Sequence, residues 1–209
     1  MILTTDREND ILLIKKAPGA LVSPMPHRGI GLFFYHRVER KNQRTMKMRI
    51  SGEIKHSFVN GPGCRFVVFF QGCPHLCPGC HNPETHDIRG GIDSSTEEVI
   101  SHICKAKYLD GITLSGGDPF LQPEACKKIA EAAHELGLSV WAYTGWTFEA
   151  LQSLSPPVRA ALSCIDVLVD GPFIEAERDE NLLWRGSRNQ RLVSVQKSIQ
   201  LGQCVELSE

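Results

Sequence analysis

The chain lacks any apolar run near the roughly 20 residues that cross a bilayer. Its longest run, "FVVFF" at 66–70, suits a buried strand. It lacks a charge excess: 23 Lys/Arg against 24 Asp/Glu give a formal −1, which offers no reason to expect nucleic acid as the main partner. The N-terminus lacks an apolar core followed by a small-residue cleavage site, so no secretory leader is expected. Disulfide rhythm is missing too: of eight Cys, five (Cys64, Cys104, Cys126, Cys164 and Cys204) are scattered. Cys104, Cys126 and Cys164 sit in apolar-patterned segments and read as small buried hydrophobes. A reducing cytoplasm is the expected setting, with clustered Cys acting as ligands rather than bridges.

What is present is one core's worth of chain with an unlike beginning. At 209 residues, 42% apolar and 22% charged, the composition is that of a soluble globular protein. Residues 1–47 carry nine Lys/Arg and four Asp/Glu, net +5, which leaves −6 for the rest. Their "KKAPGALVSPMPHRG" is broken by Pro and Gly, and neither helical nor strand periodicity persists. They are expected to form a poorly ordered N-terminal extension, solvated or gripping an acidic partner, unless translation starts at Met46 or Met48. Residues 48–209 are expected to form the ordered domain.

From residue 49 the pattern is regular. "RISGEIKHSF" (49–58) predicts a strand or hairpin arm, "NGPG" (60–63) a turn, and "CRFVVFFQG" (64–72) a buried strand. Ser95 and Glu98 form a capping-box pattern opening a helix over 94–107, with Val99, Ile100 and Ile103 on one face. "GITLSGGDP" (111–119) predicts a strand entering a glycine turn. A helix follows over 122–137, with Pro123 in its first turn and Gly137 as its stop. A strand over 138–145, a short helix over 147–154 and a strand over 164–173 complete the series. Alternating strands and helices predict βαβ units on a parallel sheet, too few for a closed eight-unit barrel. The expected class is therefore α/β, a partial, open parallel β/α barrel. Its functional loops should lie at the strands' carboxyl ends, where the cysteine loop, "SGGDP", "YTGW" and "VDGPF" all fall.

"FFQGCPHLCPGCHNPETHD" (69–87) places Cys73, Cys77 and Cys80 at C-x3-C-x2-C with no local fourth Cys. Soft thiolates select zinc or an iron–sulfur cluster. Zinc in a structural role is four-coordinate and needs a further ligand, His75, His81, His86 or a distant Cys; His81 is strained by its adjacency to Cys80, and His86 is easier to place. A [4Fe–4S] cluster held by three Cys keeps one iron free, and an open metal position is the usual sign of a catalytic role.

C-x3-C-x2-C behind a buried strand resembles the radical S-adenosylmethionine (SAM) superfamily. The segments "NGPGCRFVVFFQGCPHLCPGCHNPETHD", "ITLSGGDPF", "VWAYTGWTFEAL", "IDVLVDGPF" and "WRGSRNQR" together resemble that superfamily's anaerobic ribonucleoside-triphosphate reductase activases, over residues 50 to 198. Gly79 before the third Cys fits this subgroup rather than the pyruvate formate-lyase activases.

The resemblance implies a radical SAM domain over 48–209, with one [4Fe–4S] cluster on Cys73, Cys77 and Cys80. Reduced, the cluster passes an electron to SAM, and the resulting 5′-deoxyadenosyl radical takes hydrogen from a glycine near the C-terminus of the reductase's large subunit. No hydrolase-like acid–base pair is needed. Gly79, Cys80 and His81 are implied to line SAM. Gly116 and Gly117 would let backbone approach its methionine part, and Asp118 would accept from its ammonium. Thr144 would reach its hydroxyls. Tyr143 and Trp146 have two readings, core or adenine packing. Asp170 is expected to be structural, while Arg185, Arg188 and Arg191 read either as a solvated edge or as a docking loop for the reductase. A flavodoxin or ferredoxin is the implied electron donor, and neither nucleic acid nor membrane is an expected partner. The rival from another class is a zinc-binding interaction module, which leaves "SGGDP" without a task. Activases with additional clusters carry ferredoxin-like Cys groups that this chain lacks.

Overall fold

The computed structural model describes residues 45–208. The expected N-terminal extension falls almost wholly outside this range. At Met46 the chain is already fastened: its N–H donates to Glu97 and its carbonyl accepts from Thr96.

Seven strands form one sheet: β1 (Lys47–Ser57), β2 (Arg65–Phe70), β3 (Ile92–Ser95), β4 (Gly111–Gly116), β5 (Ser139–Tyr143), β6 (Val167–Asp170) and β7 (Arg191–Ser194). Their order is β3-β1-β2-β4-β5-β6-β7. β2, β4, β5 and β6 are mutually parallel. β1 runs antiparallel to β2 and to β3, and β7 antiparallel to β6. The architecture is the expected α/β class: a parallel core, open at two edges. The hairpin-arm reading of 49–58 matches the antiparallel β1–β2 pair, whereas the antiparallel edge strands β3 and β7 were not foreseen.

The parallel core follows from its composition. A strand covered on both faces reads as a continuous apolar run, and β2 is "RFVVFF" with five of its six residues buried. Side-chain alternation divides the sheet. Phe66, Val68, Phe70, Ile112, Leu114, Val140, Ala142, Leu168 and Val193 join the main core under the helices. Trp141, Val169 and Leu192 form a second cluster, with Trp184 packed edge-on against Trp141.

The helices are α1 (Thr96–Lys105), α2 (Pro123–Glu135), α3 (Phe148–Ser153), α4 (Pro156–Leu162) and α5 (Val195–Leu201). Ser95 caps α1 by accepting from Glu98 N at 3.2 Å, and Val99, Ile100 and Ile103 are buried as their spacing predicts. α2 starts at Pro123 and turns every small or branched side chain of one stripe (Ala125, Cys126, Ile129, Ala130, Ala133) into the core. No helix among the described residues is long and apolar enough to cross a membrane.

Backbone hydrogen bonds stitch the carboxyl ends of the parallel strands together. Gly117 N donates to Phe70 O at 2.8 Å, Asp118 N to Gly72 O at 2.8 Å, Thr144 N to Val169 O at 3.0 Å and Gly171 N to Trp146 O at 2.9 Å. These bonds join the cysteine loop to "SGGDP" and "YTGW" to "VDGPF", and the Asp118 side chain, accepting from Thr144 and Gly145, joins the two pairs into one rim.

Candidate functional site

The cysteine loop is pinched at its base. After β2, buried Gln71 donates through its side chain to Glu84 O at 3.0 Å and Asp87 O at 2.7 Å. Gly72 N donates to Thr85 O at 2.8 Å and Cys73 N to His86 O at 3.2 Å. Residues 73–86 therefore leave and return at one point. Inside the loop the chain turns through left-handed backbone at Leu76 (φ 48°) and Gly79 (φ 71°), and Cys80 N donates to Cys77 O at 3.2 Å.

All three thiols are free and half-buried. Burial pushes the Cys73 and Cys80 thiols up, so a metal's positive charge is what would favour their thiolates. Asn82 N–H points at Cys80 Sγ, 3.4 Å away, a backbone donor of the kind that tunes cluster sulfur. A single zinc ion requires ligand sulfurs about 3.8 Å apart. A four-iron cube takes one thiolate per iron and spaces its ligands more widely. Three free cysteines on one loop are a donor set that could serve such a cube, one thiolate to each of three irons. His86, the candidate fourth zinc ligand, anchors Cys73 through its backbone carbonyl, while its buried Nε2 has no hydrogen-bond partner among the described residues.

The "SGGDP" turn sits against the loop's base. At Gly116 (φ 95°) a Cβ would stand 2.6 Å from Phe70 N and O, and at Gly117 it would collide with Gly72 O. Both glycines are thus demanded by backbone packing between β4 and the start of the cysteine loop. Asp118 is fully buried. Its Oδ1 accepts from Phe120 N at 3.0 Å. Its Oδ2 accepts from Thr144 Oγ1 at 2.8 Å, Gly145 N at 3.1 Å and His75 Nε2 at 2.8 Å. Asp118 and Thr144, read from sequence as cofactor contacts, are here bonded to each other. Thr144 Oγ1 also accepts from Trp146 N at 3.2 Å.

Gly79 and His81, which flank Cys80, face the segment after β6. A Cβ on Gly79 would lie 3.0 Å from the Glu175 carboxylate. The exposed His81 ring is 5.1 Å from that of Phe173, and burial, reinforced by Arg178, pulls its imidazole pKa down. Tyr143 lies beside the second apolar cluster, and burial pushes its phenol up. Sequence reasoning did not single out Gln71, Glu175 or Phe173, and it weighed His75 only as a metal ligand. The usable signal for His75 was position: it stands between two candidate ligand cysteines, on the loop adjoining the strand that delivers Asp118.

The basic loop is divided. Arg191 grips buried Asp170 at 3.0 and 2.5 Å and Glu149 at 3.2 and 2.8 Å, and Asp170 also accepts from Phe148 N at 2.7 Å. Asp170 and Arg191 thus lock β6, β7 and the start of α3 and take the structural reading. Arg185 donates to Gln190 O at 3.2 Å, within its own loop, and Arg188 is exposed.

Hydrogen bonding from Arg191 holds the Glu149 carboxyl below its usual range. That contribution is therefore present above the unfolded value of about 4.3 and is lost as pH falls through the lower folded value. Glu149 is 56% exposed, so screening limits the pair to about 0.5 kcal/mol. Urea melts of the parent and of Glu149→Gln should differ by that amount at neutral pH and converge as the pH falls below the folded value.

Residues 59–193 match the 4Fe-4S single cluster domain family. The chain is 39% identical over 145 residues to the anaerobic ribonucleoside-triphosphate reductase-activating protein of Enterobacteria phage T4, covering 66% of this chain and 88% of that one. It is 36% identical over 141 residues to the protein of the same name from Escherichia coli (strain K12), covering 63% and 89%. The crystal structure of QueE from Escherichia coli aligns with 69% of this chain and 75% of its own, at a TM-score of 0.42 and 14% identity. The chain belongs to the single-cluster 4Fe-4S domain family and to the anaerobic ribonucleoside-triphosphate reductase-activating proteins.

Proposed function

We propose that this chain installs a glycyl radical on an anaerobic ribonucleoside-triphosphate reductase, using SAM and one [4Fe–4S] cluster held by Cys73, Cys77 and Cys80. The observation that carries the reading is the loop itself: three free thiols at the carboxyl end of β2, fastened to the glycine turn after β4. When bound and reduced, the cluster supplies one electron to SAM, and the cleavage of SAM supplies the hydrogen-abstracting chemistry. The protein's own part is placement and exclusion of water. Gly116 and Gly117 bring the β4 turn against the loop base. The saturated Asp118 carboxylate fixes the β5 end beside it, and Asn82 N–H is a donor to the Cys80 sulfur. Gly79, Cys80, His81, Gly116, Gly117, Asp118 and Thr144 are the residues around which SAM would lie, with Asp118 and Thr144 acting through the bonds they make to each other.

The partner is the reductase's large subunit, offering a glycine near its C-terminus, and the electron comes from a flavodoxin or ferredoxin. Anaerobically reconstituted protein should be brown, with about four iron and four sulfide per chain. Its reduced electron paramagnetic resonance spectrum should shift on addition of SAM, and dithionite plus SAM should yield 5′-deoxyadenosine. One zinc without sulfide, in protein purified free of oxygen, would overturn the proposal in favour of the interaction module. A glycyl signal on a pyruvate formate-lyase type partner, but none on the reductase, would reassign the substrate.

A further inference from the structure

We propose that His75 is a positioning residue that latches the cysteine loop to the ends of β4 and β5. The inference rests on reading that loop as the cluster carrier and concerns how the loop is held. Between Cys73 and Cys80 the residues at 74, 76, 78 and 79 are Pro, Leu, Pro and Gly, whose side chains carry no hydrogen-bonding group. His75 is equipped to reach out, and it does so. Its side chain is only 13% exposed and its Nε2 donates at 2.8 Å to Asp118, whose side chain is inaccessible. The same carboxylate oxygen takes Thr144 Oγ1 and Gly145 N, so one atom joins the cysteine loop to the rim of β5. A bond to a buried carboxylate is among the stronger kinds.

Three further observations point the same way. The His75 ring stands edge-on to Trp146, centroids 4.8 Å apart at 73°. It also fills the space over Gly145: the three nearest heavy atoms that a methyl there would meet all belong to His75, among them Cγ at 2.5 Å and Nε2 at 2.7 Å. The next residue, Leu76, holds a left-handed φ of 48° although it is 63% exposed. Such a conformation persists only where its surroundings impose it, and the anchored neighbour is His75.

The test is a substitution cycle on the anaerobically reconstituted protein. Hydrogen exchange of peptides covering 73–82 is the first readout, and SAM titration of the reduced paramagnetic spectrum is the second. His75→Ala should retain its iron, exchange about tenfold faster or more across the loop, and need about tenfold more SAM for half the spectral change. His75→Gln, which keeps a donor near the Nε2 position, should recover most of both. Gly145→Ala leaves all the latch groups present but drives the ring away, so it should loosen the loop as His75→Ala does. In the His75→Ala background the same methyl enters vacated space and should add little.

Parent-like exchange and SAM response in His75→Ala would overturn the latch, as would a Gly145→Ala effect equally large with and without the ring. If His75→Ala does not fold, Gly145→Ala against the parent and His75→Gln carries the comparison. Failure of the cluster reading looks different: the unsubstituted chain would show no SAM-dependent spectrum, while exchange would still report the latch.

Discussion

Alanine at any one of Cys73, Cys77 or Cys80 should eliminate both the iron–sulfur chromophore and detectable SAM cleavage, whereas Cys126→Ala should preserve them. The contrast is built into the fold. The three loop thiols are half-buried on a rim that opens at the strand ends. Cys126 lies at 0% exposure inside the α2 stripe, where burial pushes its thiol far above the ordinary range and keeps it neutral. A neutral core thiol packs as a small hydrophobe, and its loss to alanine should cost stability by about 1 kcal/mol with no effect on colour. A cube with one thiolate per iron has no redundancy among three ligands, since removing one leaves two irons without protein. Iron and sulfide content, the absorbance of the oxidised cluster and 5′-deoxyadenosine yield are the measurements. Loss of the chromophore in Cys126→Ala alone would refute the ligand assignment.

Local chemistry made much of this legible. The apolar run of β2, the Ser95 cap, Pro123 at a helix start and Gly137 at its end each declare themselves within a few residues. Placing loops at strand ends then brought the cysteine loop, "SGGDP" and "YTGW" to one rim, because parallel strands joined by helices all end on the same side. Some elements gave no such signal. β3 and β7 are four-residue edge strands. α4 opens on Pro156-Pro157, which reads as a breaker although proline suits a helix's first turn.

The hidden part of the site is its bonding. Asp118 is paired with residues 43 positions earlier and 26 later, and no window of sequence shows whether a carboxylate's lone pairs are already taken. Hence "GGDP" suggests a cofactor contact by itself, and only the folded chain adds the bonds that this carboxylate takes from Thr144, Gly145 and His75. Arg191 was ambiguous for the same reason: a basic loop residue looks solvated or sticky until Asp170 is found beside it.

The largest loss of stability should come from the other end of the sheet. Arg65 is fully buried at the start of β2. Its Nε donates to Thr113 Oγ1 at 2.7 Å, Nη1 to Ser139 Oγ at 3.1 Å, and Nη2 to Ile112 O at 2.5 Å and Ser139 O at 3.0 Å. The guanidinium also lies 5.5 Å over the Trp141 ring. Burial pulls its pKa down to about 10, so it remains charged at neutral pH, and it is solvated by carbonyls and hydroxyls instead of water.

Two effects oppose each other when it is removed. Deleting the charge relieves a desolvation penalty of several kcal/mol. Against that, at least two fully buried acceptors, Ile112 O and Thr113 Oγ1, lose their donor at about 1–3 kcal/mol each. Truncation to alanine adds a cavity beneath Trp141, worth a further 2–4 kcal/mol or so. Arg65→Ala should therefore lose about 4 kcal/mol and lower the melting temperature by about 8–16 °C. Arg65→Met, which refills the volume, should lose about half as much. Denaturant melts of both variants decide the matter: if Met equals or exceeds the parent, the charge is a burden that the carbonyl cage does not offset, and β2 is held at this end by packing alone.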